Sequence, residues 1–126
     1  MLSDKTIMAF IATTDAKKAR PFYEEVLGLP VKRTDEYAIV FNSNGIELRM
    51  TIVRELHPVP YSVMSWIVPD IHGMIKGLTA KGVVFEKYTF FTQDDAGVWT
   101  APDGTQVAWF KDPDGNLLSL TQYPSE

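Results

Sequence analysis

The sequence contains no cysteine, which removes disulfides, thiolate nucleophiles and sulfur-ligated metal sites together and suits a reducing compartment. Long apolar runs are also missing. No stretch approaches membrane-spanning length, and the N-terminus lacks an apolar segment followed by a small-residue cleavage site. The expectation is therefore a cytoplasmic protein with no membrane partner. Positive charge is in deficit, with 12 Lys+Arg against 16 Asp+Glu and a formal charge of -4. A general phosphate-backbone binder needs a basic face, so nucleic acid is not expected as a partner, and Lys17, Lys18 and Arg20 read as the solvated side of one helix. Histidine is scarcer still, with two among 126 residues.

What the chain does have is an internal repeat. A strand-like Ile7–Ala12 is followed by Asp15, a helical stretch and Gly28; Val63–Val68 is followed by Asp70, a helical stretch and Gly82. Each copy ends on a polar turn entering another apolar strand, Asn42-Ser43-Asn44-Gly45 before Ile46–Ile52 and Asp112-Pro113-Asp114-Gly115 before Leu117–Thr121. At this length the chain is one compact unit, or two half-units each too small to bury a core separately.

Both Asp15 and Asp70 suit a helix N-cap, where a carboxylate accepts an orphan backbone N–H. After Asp15, residues Ala19, Phe22, Tyr23, Val26 and Leu27 fall on one helical face. Pro21 interrupts that run and predicts an irregular or kinked turn. Gly28 supplies the left-handed C-terminal position. Val31–Arg33, Tyr37–Phe41 and Ile46–Ile52 then read as three short strands separated by turn residues. His57-Pro58-Val59-Pro60 is a linker, because its prolines interrupt any ladder. In the second copy Ile71, Met74, Ile75 and Leu78 form the expected buried helical face, and Val83–Phe90, Thr105–Phe110 and Leu117–Thr121 are the expected strands. Asp15 to Gly45 spans 30 positions and Asp70 to Gly115 spans 45, so the second copy is longer by 15. The surplus falls around Phe91–Gly104. Loops of that length are often lids or binding loops, and a plain connection with an exposed edge is the competing reading.

Asp15-x-x-x-Ala19-x-x-Phe22-Tyr23-x-x-x-Leu27-Gly28-Leu29, with Phe110-Lys111-Asp112-Pro113-Asp114-Gly115-Asn116 later, resembles the vicinal oxygen chelate superfamily. That group includes glyoxalase I, extradiol dioxygenases, fosfomycin-resistance enzymes and bleomycin-resistance proteins. The two motifs describe a cap, a helix face, a helix stop and a turn, so they speak to fold and not to chemistry. Repeat and resemblance together predict an α+β fold: two tandem βαβββ modules, 1–57 and 58–126 of a single domain 1–126, forming an open, curved, barrel-like cup with helices outside. The resemblance also implies a homodimer.

In metal-dependent members of that superfamily the ligands come from inward positions on the first and last strands of each module, usually His or Gln and then Glu. The corresponding positions here are Met8 and Val63, seven before each capping Asp, and Arg49 and Ser119, four after each turn glycine. A thioether, an isopropyl group, a guanidinium and a hydroxyl do not replace the nitrogen and carboxylate donors a divalent ion requires. No metal ligand and no cofactor are therefore assigned. His57 belongs to the linker and His72 to the start of the second helix, off the cup strands.

Met8, Phe10, Val63, Ser65, Leu117, Ser119 and Thr121 share inward parity, giving an apolar cavity with sparse hydroxyls that suits an organic ligand or else is filled by its own side chains. Arg49 would offer bidentate capture of a carboxylate or phosphate; the competing readings are a salt bridge to Glu47 or a solvated side chain. Trp66, Trp99 and Trp109, with Tyr88, Phe90 and Phe91, concentrate aromatic surface in the second module, usable for stacking, for an interface or for core. Asp94 and Asp95 are a loop carboxylate pair, which is usually solvated. The candidate ligand-binding residues are Met8, Phe10, Arg49, Val63, Ser65, Trp99, Ser119 and Thr121, and no catalytic residue is assigned. The expected function is a metal-free small-molecule binder of the glyoxalase/bleomycin-resistance type. The alternatives are a metal-dependent lyase, isomerase, dioxygenase or thiol transferase, and a metal-free enzyme acting on an anionic substrate.

Overall fold

The computed structural model of the chain describes residues 1–125, and the chain divides into two compact units, Met1–His57 and Pro58–Glu126. Each is a βαβββ module of the predicted α+β class. In the first, β1 (Met8–Thr13) leads to α1 (Ala16–Pro21), a π-helical turn at Phe22–Val26, then β2 (Val31–Thr34), β3 (Ala38–Ser43) and β4 (Ile46–Ile52). The Asp15 carboxylate accepts from the N–H groups of Lys17 and Lys18, capping α1 as predicted. Pro21 has no N–H to give, so the regular ladder ends at that point. Beyond it the Leu27 N–H donates to the Phe22 carbonyl five residues back at 2.9 Å, the π spacing. Gly28, at φ 77°, closes the helix while the Leu29 N–H donates to the Tyr23 carbonyl.

The first sheet runs β1-β4-β3-β2, with β1 parallel to β4 and the other neighbours antiparallel. Strand alternation puts Ile11, Ile39, Phe41, Leu48 and Met50 on one side, where all are buried. Tyr23, also fully buried, lies with its ring 5.5 Å from that of Phe41. Helix and sheet thus meet on this side, and the other side carries the candidate residues.

The second module comprises β5 (Met64–Ile67), α2 (Ile71–Ala80), β6 (Trp99–Thr100), β7 (Gln106–Lys111) and β8 (Leu117–Gln122), in sheet order β5-β8-β7-β6. Asp70 caps α2 with φ -142°, close to the -146° of Asp15, so the repeat extends to backbone detail. Ile71, Ile75 and Leu78 are buried as predicted, but Met74 is 41% exposed: it sits at the margin of the apolar stripe and turns toward solvent. The turn into β8 is built around a buried Asp112, whose carboxylate accepts from the backbone N–H groups of Asp114 and Asn116 and from the Asn116 side chain.

The predicted strand Val83–Phe90 does not form. Phe85 makes a single bridge to Phe110, and the Glu86 N–H donates to the Trp109 carbonyl. The ladder stops there because the Gln93 side chain takes the next groups: its Oε1 accepts from the Tyr88 N–H and its Nε2 donates to the Glu86 carbonyl. The sheet edge is instead supplied from within the surplus loop, where β6 pairs with β7. Remaining strand limits differ from the predicted ones by only one or two residues.

Phe41→Ala should lower the unfolding free energy by about 3–5 kcal/mol, as for a fully buried ring. Phe10→Ala, whose residue is 64% exposed, should cost less than ~1 kcal/mol. Urea denaturation followed by far-ultraviolet circular dichroism measures both.

Candidate ligand-binding faces

In the first module Met8 pairs with Glu47 and Phe10 with Arg49 across β1 and β4; Asn42 pairs with Glu47 and Val40 with Arg49 across β3 and β4. Residues directly opposite share a face, so Met8, Phe10 and Arg49 project together from the side away from Tyr23, with Glu47 among them. Met8 and Phe10 are exposed there, and Arg49 is half-buried.

Glu47 is held from β2. Lys32 Nζ lies 2.7 Å from one carboxylate oxygen, while Arg33 donates to both oxygens at 2.8 and 3.2 Å. The Arg33 hydrogen bonds, then that of Lys32, bring the Glu47 carboxyl down to about 2. The Glu47–Arg49 salt bridge weighed from the sequence is not formed. Among the described residues Arg49 has no hydrogen bond or ion pair; its electrostatic neighbour is Asp35. The Asp35 carboxyl is held below the usual range first by the Tyr37 N–H, with Arg49 and Arg33 adding attraction.

In the second module Ser65 pairs with Ser119 and Ile67 with Thr121; Ser119 pairs with Trp109 and Thr121 with Val107; Val107 pairs with Trp99. Ser65, Trp99, Ser119 and Thr121 therefore share one face, away from α2. Val63, whose N–H donates to the Leu117 carbonyl, extends that face just before β5 and is exposed. The hydroxyls are paired. Ser65 Oγ lies 2.7 Å from Thr121 Oγ1. Ser62 gives its one proton to the Met64 carbonyl, so Ser119, 2.8 Å away, is the donor to Ser62 Oγ. With its proton committed and only 3% exposure, Ser119 braces the sheet and does not present a hydroxyl outward. Neither histidine is its partner, since His57 pairs with Glu55 and His72 with Asp94.

Aromatic rings cluster around Trp109. Phe91 stacks on it at 5.1 Å and 5°, Trp99 lies 4.9 Å from Phe91, and Tyr88 meets Trp109 edge-on at 5.6 Å. The candidate set from the sequence contains Trp99 but omits Phe91 and Trp109. Period-two alternation along Thr105–Phe110 would have put Trp109 on the face of Ser119. Nothing local marks Phe91, which reaches the cluster through loop folding.

That loop is anchored to α2. Asp94 Oδ1 accepts from the Ala96 and Val98 N–H groups at 3.0 and 2.9 Å, and Oδ2 lies 2.8 Å from His72 Nε2. Lys87 Nζ donates to the carbonyls of Asp94 and Asp95. Burial pushes the Asp94 carboxyl up, but the hydrogen bonds from His72, Val98 and Ala96 outweigh it and hold the group below its ordinary range.

Nitrogen and carboxylate donors for a divalent ion do not converge on these faces. The positions implied by the superfamily carry Met8, Arg49, Val63 and a committed Ser119, and among the described residues no group of three or more His, Asp or Glu could hold a metal. The donor chemistry does not fit the ion.

The family model for the Glyoxalase/Bleomycin resistance protein/Dioxygenase superfamily matches residues 6–120. The chain belongs to this superfamily. Solved structures agree in fold. A glyoxalase family protein from Enterococcus faecalis shares 22% identity at a TM-score of 0.75, with 96% of this chain and 99% of that one covered. A superfamily member from Sphaerobacter thermophilus shares 23% identity at 0.72, covering 97% and 99%. Lactoylglutathione lyase from Agrobacterium tumefaciens shares 16% identity at 0.72, covering 94% and 93%. No curated protein sequence matches the chain significantly. At these identities the superfamily likeness carries the fold and leaves the reaction open.

The depressed Asp94 carboxyl gives a pH prediction. Its contribution to loop anchoring should be fully present above the ordinary aspartate value of about 4 and be lost as pH falls through its lower folded-state value. Protection of the Ala96 and Val98 amides, measured against their intrinsic exchange rates at each pH, should fall over that acid window. Asp94→Ala should produce the same loss of protection at neutral pH while leaving protection in β7 and β8 unchanged.

Proposed function

We propose that this chain is a metal-independent small-molecule-binding protein of the glyoxalase/bleomycin-resistance type, taking an organic ligand against the open faces of its sheets. The observation that carries the reading is the Phe91–Trp99–Trp109 cluster beside the Ser65–Thr121 hydroxyl pair. Packed rings offer a flat apolar surface for a planar ligand, and such contacts contribute about 0.5–1.5 kcal/mol per ring beyond area burial. The hydroxyl pair adds orientation. In the first module Met8 and Phe10 offer apolar area next to Arg49. The donors at the superfamily's ligand positions are unsuited to a divalent ion, which favours binding without metal. Cytoplasmic location and a homodimeric state belong to the same proposal.

A second reading is favoured by one observation. Because Glu47 is committed to Lys32 and Arg33, Arg49 keeps a guanidinium without a hydrogen-bonded carboxylate, with Asp35 acting on it only at longer range. That is the arrangement needed to capture a carboxylate or phosphate, and a metal-free enzyme acting on an anionic substrate would use it. A metal-dependent lyase, isomerase, dioxygenase or thiol transferase is the reading the donor set opposes.

Equilibrium dialysis against Ni, Zn, Mn and Fe should leave less than stoichiometric metal on the chain; one ion per chain at micromolar affinity or better would overturn the metal-independent reading. In a thermal-shift screen of planar organic compounds, Trp99→Ala should weaken the stabilising compounds by roughly tenfold, the upper end of a lost ring contact. If the hits are anionic, Arg49→Ala should remove them selectively, and an unchanged set of hits in that variant would exclude a role for the guanidinium.

A further inference from the structure

On the α2 side of its sheet, away from the Ser65–Trp99–Thr121 face, the second module has a groove of about 460 Å³ between α2 and the segments around Val84–Lys87 and Asp95–Ala96. Ile75, Val83, Val84 and Phe85 make its apolar part. Val84 is 74% exposed, an apolar side chain left on the surface where the expected strand fails to form. The rim is polar. Lys76 extends from α2 and Lys87 stands opposite, with His72, Thr79 and Asp95 completing it.

The charges are arranged unequally. Lys87 is fixed by its bonds to the carbonyls of Asp94 and Asp95 at 3.0 and 2.7 Å, which leaves one of the three N–H groups of its ammonium unused. Lys76 has no hydrogen bond or ion pair among the described residues. Asp94, the other acid of the loop, does not line the groove; its carboxylate is engaged with His72 at 2.8 Å and with the Ala96 and Val98 N–H groups. Two lysines thus face a single aspartate, Asp95, across an apolar floor.

We propose that this groove binds a single-chain amphiphilic carboxylate, with the chain lying on Ile75, Val83, Val84 and Phe85 and the headgroup between Lys76 and Lys87. One anchored ammonium and one unpaired one suit a small monoanion. A polyphosphate would need several convergent fixed donors. A neutral apolar ligand would gain nothing from the lysines and would leave them to be partly desolvated without a partner.

The test is titration of the isotope-labelled protein with sodium decanoate below its micellar range. Saturable shifts should concentrate at the amides of Ile75, Lys76, Val84, Lys87 and Ala96. Lys76→Glu, a change at an exposed side chain with no partner to lose, should weaken binding by about fivefold or more, from the loss of one exposed charge contact and its replacement by repulsion. Val84→Asp should weaken it further by placing a charge under the chain. Decanol should bind more weakly than decanoate. Shifts that fail to saturate, that centre on Ser65, Trp99 and Thr121, or that persist unchanged in Lys76→Glu would overturn the proposal, as would equal binding of decanol. Trp99→Ala should leave decanoate binding intact, so failure of this site and failure of the open-face reading are separately visible.

Discussion

The parallel pairing of the first and last strand in each sheet decides which side chains lie on the side away from the helix. Met8 opposite Glu47 and Phe10 opposite Arg49 fix one module; Ser65 opposite Ser119 and Ile67 opposite Thr121 fix the other. A slip of one residue in a strand would exchange its two faces, burying Arg49 and exposing Leu48 and Met50. Parallel neighbours cannot be joined by a tight turn and require a crossover. The capped helices after Asp15 and Asp70 begin those crossovers, so the caps, the helix positions and the sheet faces opposite the helices form one linked arrangement.

Much of this was legible in the sequence because it depends on short-range rules. A capping aspartate, a stripe at helical spacing, a glycine at the helix end and period-two strands are all local. They placed Met8, Phe10, Arg49, Val63, Ser65, Ser119 and Thr121 on faces that the strand pairing brings together within each module, whereas Trp99, chosen as a loop aromatic, joins its face through the unforeseen pairing of β6 with β7. What was not legible depends on contacts between residues brought close by folding. Lys32 and Arg33 reach Glu47 across the sheet, which releases Arg49 from the salt bridge that composition alone suggested. Gln93 removes backbone partners from the stretch after Glu86, and an apolar run with good strand character becomes irregular. Ser119 looks like an available hydroxyl until Ser62 is seen to have spent its own proton elsewhere.

Membership of the superfamily fixes less chemistry than it does architecture. The solved relatives cited share between 16% and 23% identity with this chain, enough distance for the same backbone to present different atoms at equivalent positions. Here those atoms are sulfur, aliphatic carbon, guanidinium nitrogen and a hydroxyl already engaged. The paired strands and capped helices persist without requiring any particular occupant of the open faces.

The Gln93 side chain closes its loop with three hydrogen bonds, to the Tyr88 N–H and to the carbonyls of Glu86 and Gly97. A segment stapled in this way from inside has little conformational entropy left to lose. Any molecule that meets Phe91 or Trp99 therefore finds the rings already set and bears little ordering cost on arrival. Recognition would work by fit to a standing template, with association limited by encounter and orientation and not by closure of a lid. Selectivity would then respond to small changes in ring position, which makes Gln93, bridged through its backbone to Trp99, a residue through which the breadth of accepted ligands could evolve.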